Sequence, residues 1–173
     1  TNKHAAGFHE LTDRKISLAT AKKYGVKSTL TSSGKIDKHY YPYYNGHELA
    51  GTKVRRQNKD FGWTGNAKEV GLFGENLFKA GGKFITLTEG ECDAMAAYEL
   101  LGSKWPVVSV KSGAAGGIGD VKQNLEFLES FGAIVINFDN DKVGQEAARA
   151  VAKLFTPGKA KILSMPTDFK DAN

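Results

Sequence analysis

The apolar positions of this chain follow two different rhythms, and the clearer one begins at residue 84. Phe84-Ile85-Thr86-Leu87-Thr88 reads as a short buried strand. A helix is predicted from about Cys92 to Leu101, with Gly102 as its stop. Val107-Val108-Ser109-Val110 reads as a second strand, followed by a Gly-rich loop and a helix from about Val121 to Ser130. Ala133 to Phe138 is the third strand, Gly144 to Phe155 the next helix, and Lys161-Ile162-Leu163 the fourth strand. Strands alternating with helices of this length predict parallel βαβ units with right-handed crossovers. Ligands of such sheets gather beyond the carboxyl ends of the strands.

The earlier residues are less regular. Ser17 is placed to cap a helix through Tyr24, with Leu18 and Ala21 on one face and Gly25 as its stop. A turn is expected at Ser32, Ser33 and Gly34. The aromatic run Lys38 to Tyr44 reads as a strand, and Pro42 marks it as an edge or a bulge. Asn45-Gly46 predicts a hairpin turn with both residues at positive φ, returning through a strand from about Leu49 to Arg56. A loop is expected near Asp60 to Asn66. The fold class is therefore α/β: a Rossmann-like parallel sheet flanked by helices over 80–173, preceded by a small α+β lobe over 1–79.

Charge sharpens this division. Residues 1–79 carry 14 Lys/Arg against 7 Asp/Glu, and residues 80–173 carry 10 against 12. A basic lobe beside a slightly acidic one suggests a polyanion held on the first and a metal on the second, although two differently solvated surfaces would look the same. The apolar share of 40% and charged share of 25% suit a globular chain. No apolar run is long enough for a membrane span, and the first residues do not resemble a secretion signal. The one cysteine, Cys92, excludes an internal disulfide and a Cys-based zinc site, and is expected to be a small buried side chain. An intracellular protein without a membrane partner is the expectation.

Carboxylates collect where the parallel sheet would place a ligand. Glu89 and Asp93 follow the first of its strands, Asp139 and Asp141 the third, and Asp171 the fourth. Clustered carboxylates repel one another unless a cation compensates. All-oxygen donors favour Mg²⁺ or Mn²⁺ over zinc. A lone Asp-x-Asp is ordinarily a helix cap, and Glu89 alone would be an ordinary carboxylate at a helix start. After the second strand, Lys111-Ser112-Gly113 opens a small-residue segment whose amides suit a phosphate, and a flexible connector explains it equally. It is not a P-loop, because the Gly-Lys-Ser/Thr ending is missing. Tyr40, Tyr41, Tyr43, Tyr44, Phe61 and Trp63 are candidates for stacking on unpaired bases, with at least half expected to be buried packing.

An apolar strand ending in Glu-Gly, with another ending in Asp-x-Asp some 50 residues later, resembles the TOPRIM domain. The likeness extends through Leu11-Thr12, Ile16-Ser17, Lys53-Val54-Arg55, Lys59-Asp60-Phe61, Thr64-Gly65, Leu72-Phe73-Gly74, Thr88-Glu89-Gly90-Glu91, Phe138-Asp139 and Lys170-Asp171-Ala172-Asn173. In that order the chain resembles the primase part of phage T7-type primase–helicases. The resemblance implies a DNA primase, an RNA polymerase that makes short primers on single-stranded DNA from nucleoside triphosphates. It implies Glu89 as general base, Asp139 and Asp141 as metal ligands, and Asp93 and Asp171 supporting them, with Mg²⁺ or Mn²⁺ as cofactor. It also implies that Lys53 and Lys59 contact nucleotide or template, and Arg55 on the same basic stretch is a further candidate for binding.

The same family normally carries a four-cysteine zinc module and a ring helicase. Neither is in this sequence, and its ends suggest a fragment. The resemblance also implies a phage protein in the cytoplasm of an infected bacterium. Two rivals stay open at this point: a metal-dependent TOPRIM nuclease, and a single-stranded-DNA-binding domain that has lost catalysis.

Overall fold

The computed structural model describes residues 5–163 and 173. The chain divides into two compact units, Thr1–Val70 and Gly71–Asn173.

The first unit is one short helix and a four-stranded antiparallel sheet. Helix α1 (Leu18–Tyr24) begins where Ser17 Oγ accepts from the Thr20 N–H at 3.2 Å, and it ends on Gly25 in the left-handed region. Its buried stripe runs through Thr20, Ala21 and Tyr24. Leu18, expected to share a face with Ala21, lies outside that stripe and is 39% exposed.

The strands β1 (Lys27–Leu30), β2 (Ile36–Asn45), β3 (Glu48–Arg56) and β4 (Phe61–Gly65) are neighbours in chain order. β1 accompanies β2 only as far as Lys27↔Tyr40. Pro42 sits beyond that point, where β2 has a neighbour on the β3 side alone, so its missing N–H is tolerated. The hairpin differs from the expected Asn45-Gly46 turn. Asn45 pairs with Glu48, so the two central residues are Gly46 and His47, and Gly46 takes the positive φ of 60°.

Two strands escaped the sequence pattern. β1 is one. The other is β4, which replaces the loop expected at Asp60 to Asn66. The Arg56 N–H donates to the Asp60 carbonyl at 2.9 Å, closing a tight turn with Lys59 at φ 61°. The chain then returns along β3 from Arg55↔Phe61 to Gly51↔Gly65.

The second unit is a parallel sheet in the order β6-β5-β7-β8. Its strands are β5 (Phe84–Thr88), β6 (Val107–Ser109), β7 (Ala133–Asn137) and β8 (Ala160–Ile162), joined by α2 (Glu91–Leu100), α3 (Gly113–Gln123), α4 (Leu125–Glu129) and α5 (Lys142–Ala152). Ile85, Leu87, Ile134 and Ile136 are fully buried and form a core with Val121 and Phe138. Fully burying one such side chain stabilises the fold by about 1.5–3 kcal/mol. Leu72 lies in this core, and Phe73 exchanges backbone hydrogen bonds with Ser109 at 2.9 and 3.1 Å. The segment from Gly71 to Lys79 therefore belongs with the parallel sheet, whereas the sequence pattern put the division at 79/80.

The Gly-rich stretch after β6 is helical, not a loop. α3 opens at Gly113 although Gly-Ala-Ala-Gly-Gly is a poor helix former. Packing supplies what propensity lacks, since Gly117 is buried beside the Phe138 ring. The single helix expected to Ser130 is interrupted at Asn124, whose side chain donates to the Asp120 carbonyl at 2.8 Å. Among the described residues, no helix is long and apolar enough to cross a membrane.

Candidate functional site

Glu89 leaves the carboxyl end of β5. The Thr88 hydroxyl donates to the Gly90 carbonyl at 3.0 Å across the bend into α2. β5 and β7 pair in parallel with Thr88 opposite Asn137, so the chain emerges from both strands on the same edge and brings Glu89 towards Asp139. Asp139 is held through its main chain, where its carbonyl accepts from Gln145 Nε2 at 3.1 Å. Asp141 caps α5, its Oδ1 accepting from the Gly144 N–H at 2.8 Å. The helix-cap role that the sequence left open is thus real, and Asp141 holds it at the edge of the acidic group.

Gly144 draws these parts together. A β-carbon there would stand 2.3 Å from the Asp139 carbonyl oxygen and 3.0 Å from Glu89 Oε1. Asp93, in the first turn of α2, turns back over Gly90, with its Oδ2 2.9 Å from where a side chain on Gly90 would begin. Asp171 lies outside the described residues.

Glu89 Oε1 is buried and has no hydrogen-bond partner. Burial first, and then the negative charges of Asp139 and Asp141, push the Glu89 carboxyl up to about 7, against a smaller pull from the Asp139 backbone N–H. A buried acceptor without a donor is costly. Among the described residues, no three His, Cys, Asp or Glu side chains already converge closely enough to hold a metal ion. The donor set nevertheless fits a hard cation: an orphaned carboxylate oxygen, two more carboxylates beside it, and no sulfur or imidazole. A divalent ion would relieve both the repulsion and the missing bond.

The basic residues singled out from the sequence lie in the first unit. Lys53 and Arg55 occupy alternate positions of β3 and so share one sheet face. Lys53 is 8% exposed, with its ammonium 4.7 Å from the centre of the Phe61 ring, while Lys59 is exposed in the turn before β4. Tyr41 and Tyr43 are buried packing, with Trp63 against Tyr43 at 5.0 Å, whereas Phe61 is 47% exposed. Cys92 is buried as expected.

The segment Lys111-Ser112-Gly113 is built differently from the phosphate cradle suggested above. The N–H groups of Lys111 and Ser112 both donate to Asp120 Oδ2, at 3.0 Å each. An internal carboxylate therefore takes the amides that a phosphate would need. Val110 N–H bonds to the Thr88 carbonyl at 3.2 Å, which keeps this segment at the same sheet edge as Glu89.

Three features were not legible in the sequence. They are Asp120, Gln145, and a cleft of about 560 Å³ in the first unit, lined by Arg14, Lys35, Arg55 and Arg56 together with Asp13 and His39. Each depends on partners brought together by the fold rather than by spacing.

Comparison with known proteins bears on this geometry. The sequence model described as Toprim-like matches residues 86–173. The DNA helicase/primase of Enterobacteria phage T3 is 35% identical over 166 residues, which is 96% of this chain. This chain spans only 29% of that curated relative's length. The crystal structure of the primase fragment of the bacteriophage T7 primase-helicase superposes with a TM-score of 0.87 at 33% identity, covering 98% of this chain and 69% of that one. A further match comes from the structure of the bacteriophage T7 lagging-strand DNA polymerase interacting with primase domains bound to an RNA/DNA hybrid and dTTP. Its TM-score is 0.85 at 31% identity, over 97% of this chain and 85% of that one.

Proposed function

This chain belongs to the Toprim-like family, among its T7-type phage primases, and on that footing we propose that it joins ribonucleotides into short RNA primers on single-stranded DNA. The observation that carries the reading is the buried, unpartnered Oε1 of Glu89 flanked by Asp139 and Asp141 at the edge of the parallel sheet.

In this reading the 3′-hydroxyl of one nucleotide attacks the α-phosphorus of an incoming nucleoside triphosphate, a new P–O bond forms, and pyrophosphate leaves. Glu89 Oε1 takes the hydroxyl proton. Its carboxyl, raised to about 7, is a base matched to neutral pH once ionised. Asp139 and Asp141 would hold Mg²⁺ or Mn²⁺, with Asp93 and Asp171 in support. The bound ion supplies neutralisation of charge on the triphosphate oxygens. Gly144 keeps the start of α5 against Glu89, and Gln145 holds the Asp139 main chain in place. In the basic unit, Lys53, Arg55 and Lys59 bind phosphates of nucleotide or template.

Extension of a dinucleotide on a single-stranded DNA template with labelled ATP and CTP tests this directly. The native chain is expected to make short labelled RNA with Mg²⁺ or Mn²⁺, and Glu89→Ala to lower the yield about 10²–10⁴-fold. Cleavage of the DNA without any demand for nucleotides would replace the primase reading with a nuclease. Binding of DNA with no synthesis under either metal would replace it with a binding domain.

A further inference from the structure

The first unit contains a buried polar chain that the acidic centre does not use. His39 on β2 is 2% exposed, yet both ring nitrogens are engaged. Nε2 lies 2.9 Å from Asp13 Oδ2, and Nδ1 lies 2.8 Å from the Tyr41 hydroxyl. Tyr41 is itself buried and meets the imidazole edge-on, the ring centres 5.7 Å apart.

Asp13 belongs to a tight turn between Leu11 and Ile16. Both of those side chains are fully buried, and their backbones bond to each other at 2.9 and 3.2 Å. Burial raises the Asp13 carboxyl, but the hydrogen bond and charge of His39, with the charge of Arg14, hold it below the ordinary carboxylate value. The Asp13 side chain is nevertheless 42% exposed. Water could satisfy the carboxylate so placed but not the buried imidazole, which would lose the partner of its Nε2. The bond therefore ties an exposed turn to a ring fixed in the sheet.

The residue after Asp13 is Arg14, which lines the cleft of about 560 Å³ with Lys35, Arg55 and Arg56. Arg55 is the register partner of His39 on β3, so one strand pair carries both the clamp and a wall of the cleft. Arg56 is paired with Asp60 at 2.8 Å, and the remaining cations Arg14, Lys35 and Arg55 still outnumber Asp13 and Asp37, so the cleft is net positive; Asp37 is already approached by Thr29 Oγ1 at 3.4 Å. Arginine has many rotamers, and fixing the backbone beneath it lowers the cost of ordering it on a ligand.

We infer that His39, braced by Tyr41, is a positioning residue: it clamps Asp13 and so sets Arg14 in the wall of a cationic cleft that receives a phosphate-bearing strand. The inference rests on the proposed reading that this chain engages single-stranded DNA.

The test is equilibrium binding of a fluorescent single-stranded oligodeoxynucleotide to the full 173-residue chain across a salt series, with dinucleotide extension in parallel. Arg14→Ala should weaken binding several-fold and flatten the salt dependence by about 0.7, the share of one phosphate contact on a single strand. His39→Phe should weaken binding by a similar factor and raise the KM for template while leaving kcat near native. His39→Gln, which keeps a donor towards Asp13, should recover most of the loss. The double variant His39→Phe/Arg14→Ala should bind no more weakly than Arg14→Ala alone, because both changes remove one contact. If His39→Phe does not fold, Tyr41→Phe carries the same comparison. Native affinity in His39→Phe, or losses that add in the double variant, would overturn the inference while leaving the primase reading intact. A native chain that binds no oligonucleotide would overturn both.

Discussion

At residue scale, Gly144 and Glu89 constrain each other. A methyl group at 144 would sit 2.3 Å from a backbone oxygen, so the start of α5 must move away from Asp139 and Glu89. Gly144→Ala is therefore expected to cost about 1–3 kcal/mol of stability, typical of overpacking, and to weaken Mn²⁺ binding; calorimetry reads both. Glu89 also sets a pH dependence. Its carboxyl rises from the ordinary 4.5 to about 7 on folding. Between those values the folded metal-free chain keeps a proton that the unfolded chain has released. Stability should then fall as pH rises from about 4.5 to 7 and level off above that. Thermal melts in chelator should show this slope, reduced in Glu89→Gln. Glu75, also raised by burial, leaves a residue of the slope in that variant. Saturating Mn²⁺ should restore stability at neutral pH to the native chain and less to the variant.

At the scale of elements, α3 shows tertiary structure overriding propensity. Its Gly-rich start is held to the end of β6 by Asp120, which is 5% exposed and takes two consecutive amides. Asp120→Ala should destabilise the chain by about 1–3 kcal/mol in urea unfolding, the cost of leaving buried donors unpaired. Asp120→Asn keeps an acceptor oxygen and should recover most of that loss. Sequence reading succeeded where the signal was local: β5 coincides with Phe84–Thr88, α1 has the Ser17 and Gly25 caps, and β7 ends within a residue of its expected limit. It missed β1 and β4, because each is only four or five residues long and is fixed as a strand by its pairing with β2 or β3. It read 111–117 as a loop because glycine lowers helix propensity and the packing partner, Phe138, is distant in sequence.

At the scale of the whole molecule, charge is divided between the units. Residues 1–70 carry 13 Lys/Arg against 6 Asp/Glu, and residues 71–173 carry 11 against 13. If the basic unit binds nucleic acid, affinity for single-stranded DNA should fall steeply with salt, and Lys59→Ala should reduce the log–log slope by about 0.7; fluorescence titration at several ionic strengths measures it. The sequence by itself determined the alternation of strand and helix and the places of Glu89 and Asp139 just past the ends of two parallel strands. Those follow from local periodicity and from the rule that a parallel sheet offers its carboxyl edge to ligands. Tertiary structure alone decided that Oε1 of Glu89 is left without a donor, that Asp120 fills the amides of Lys111 and Ser112, and that His39 reaches Asp13 across 26 positions of chain. Hydrogen bonds between residues far apart in sequence form only when packing fixes both ends. No spacing in a linear pattern encodes that coincidence.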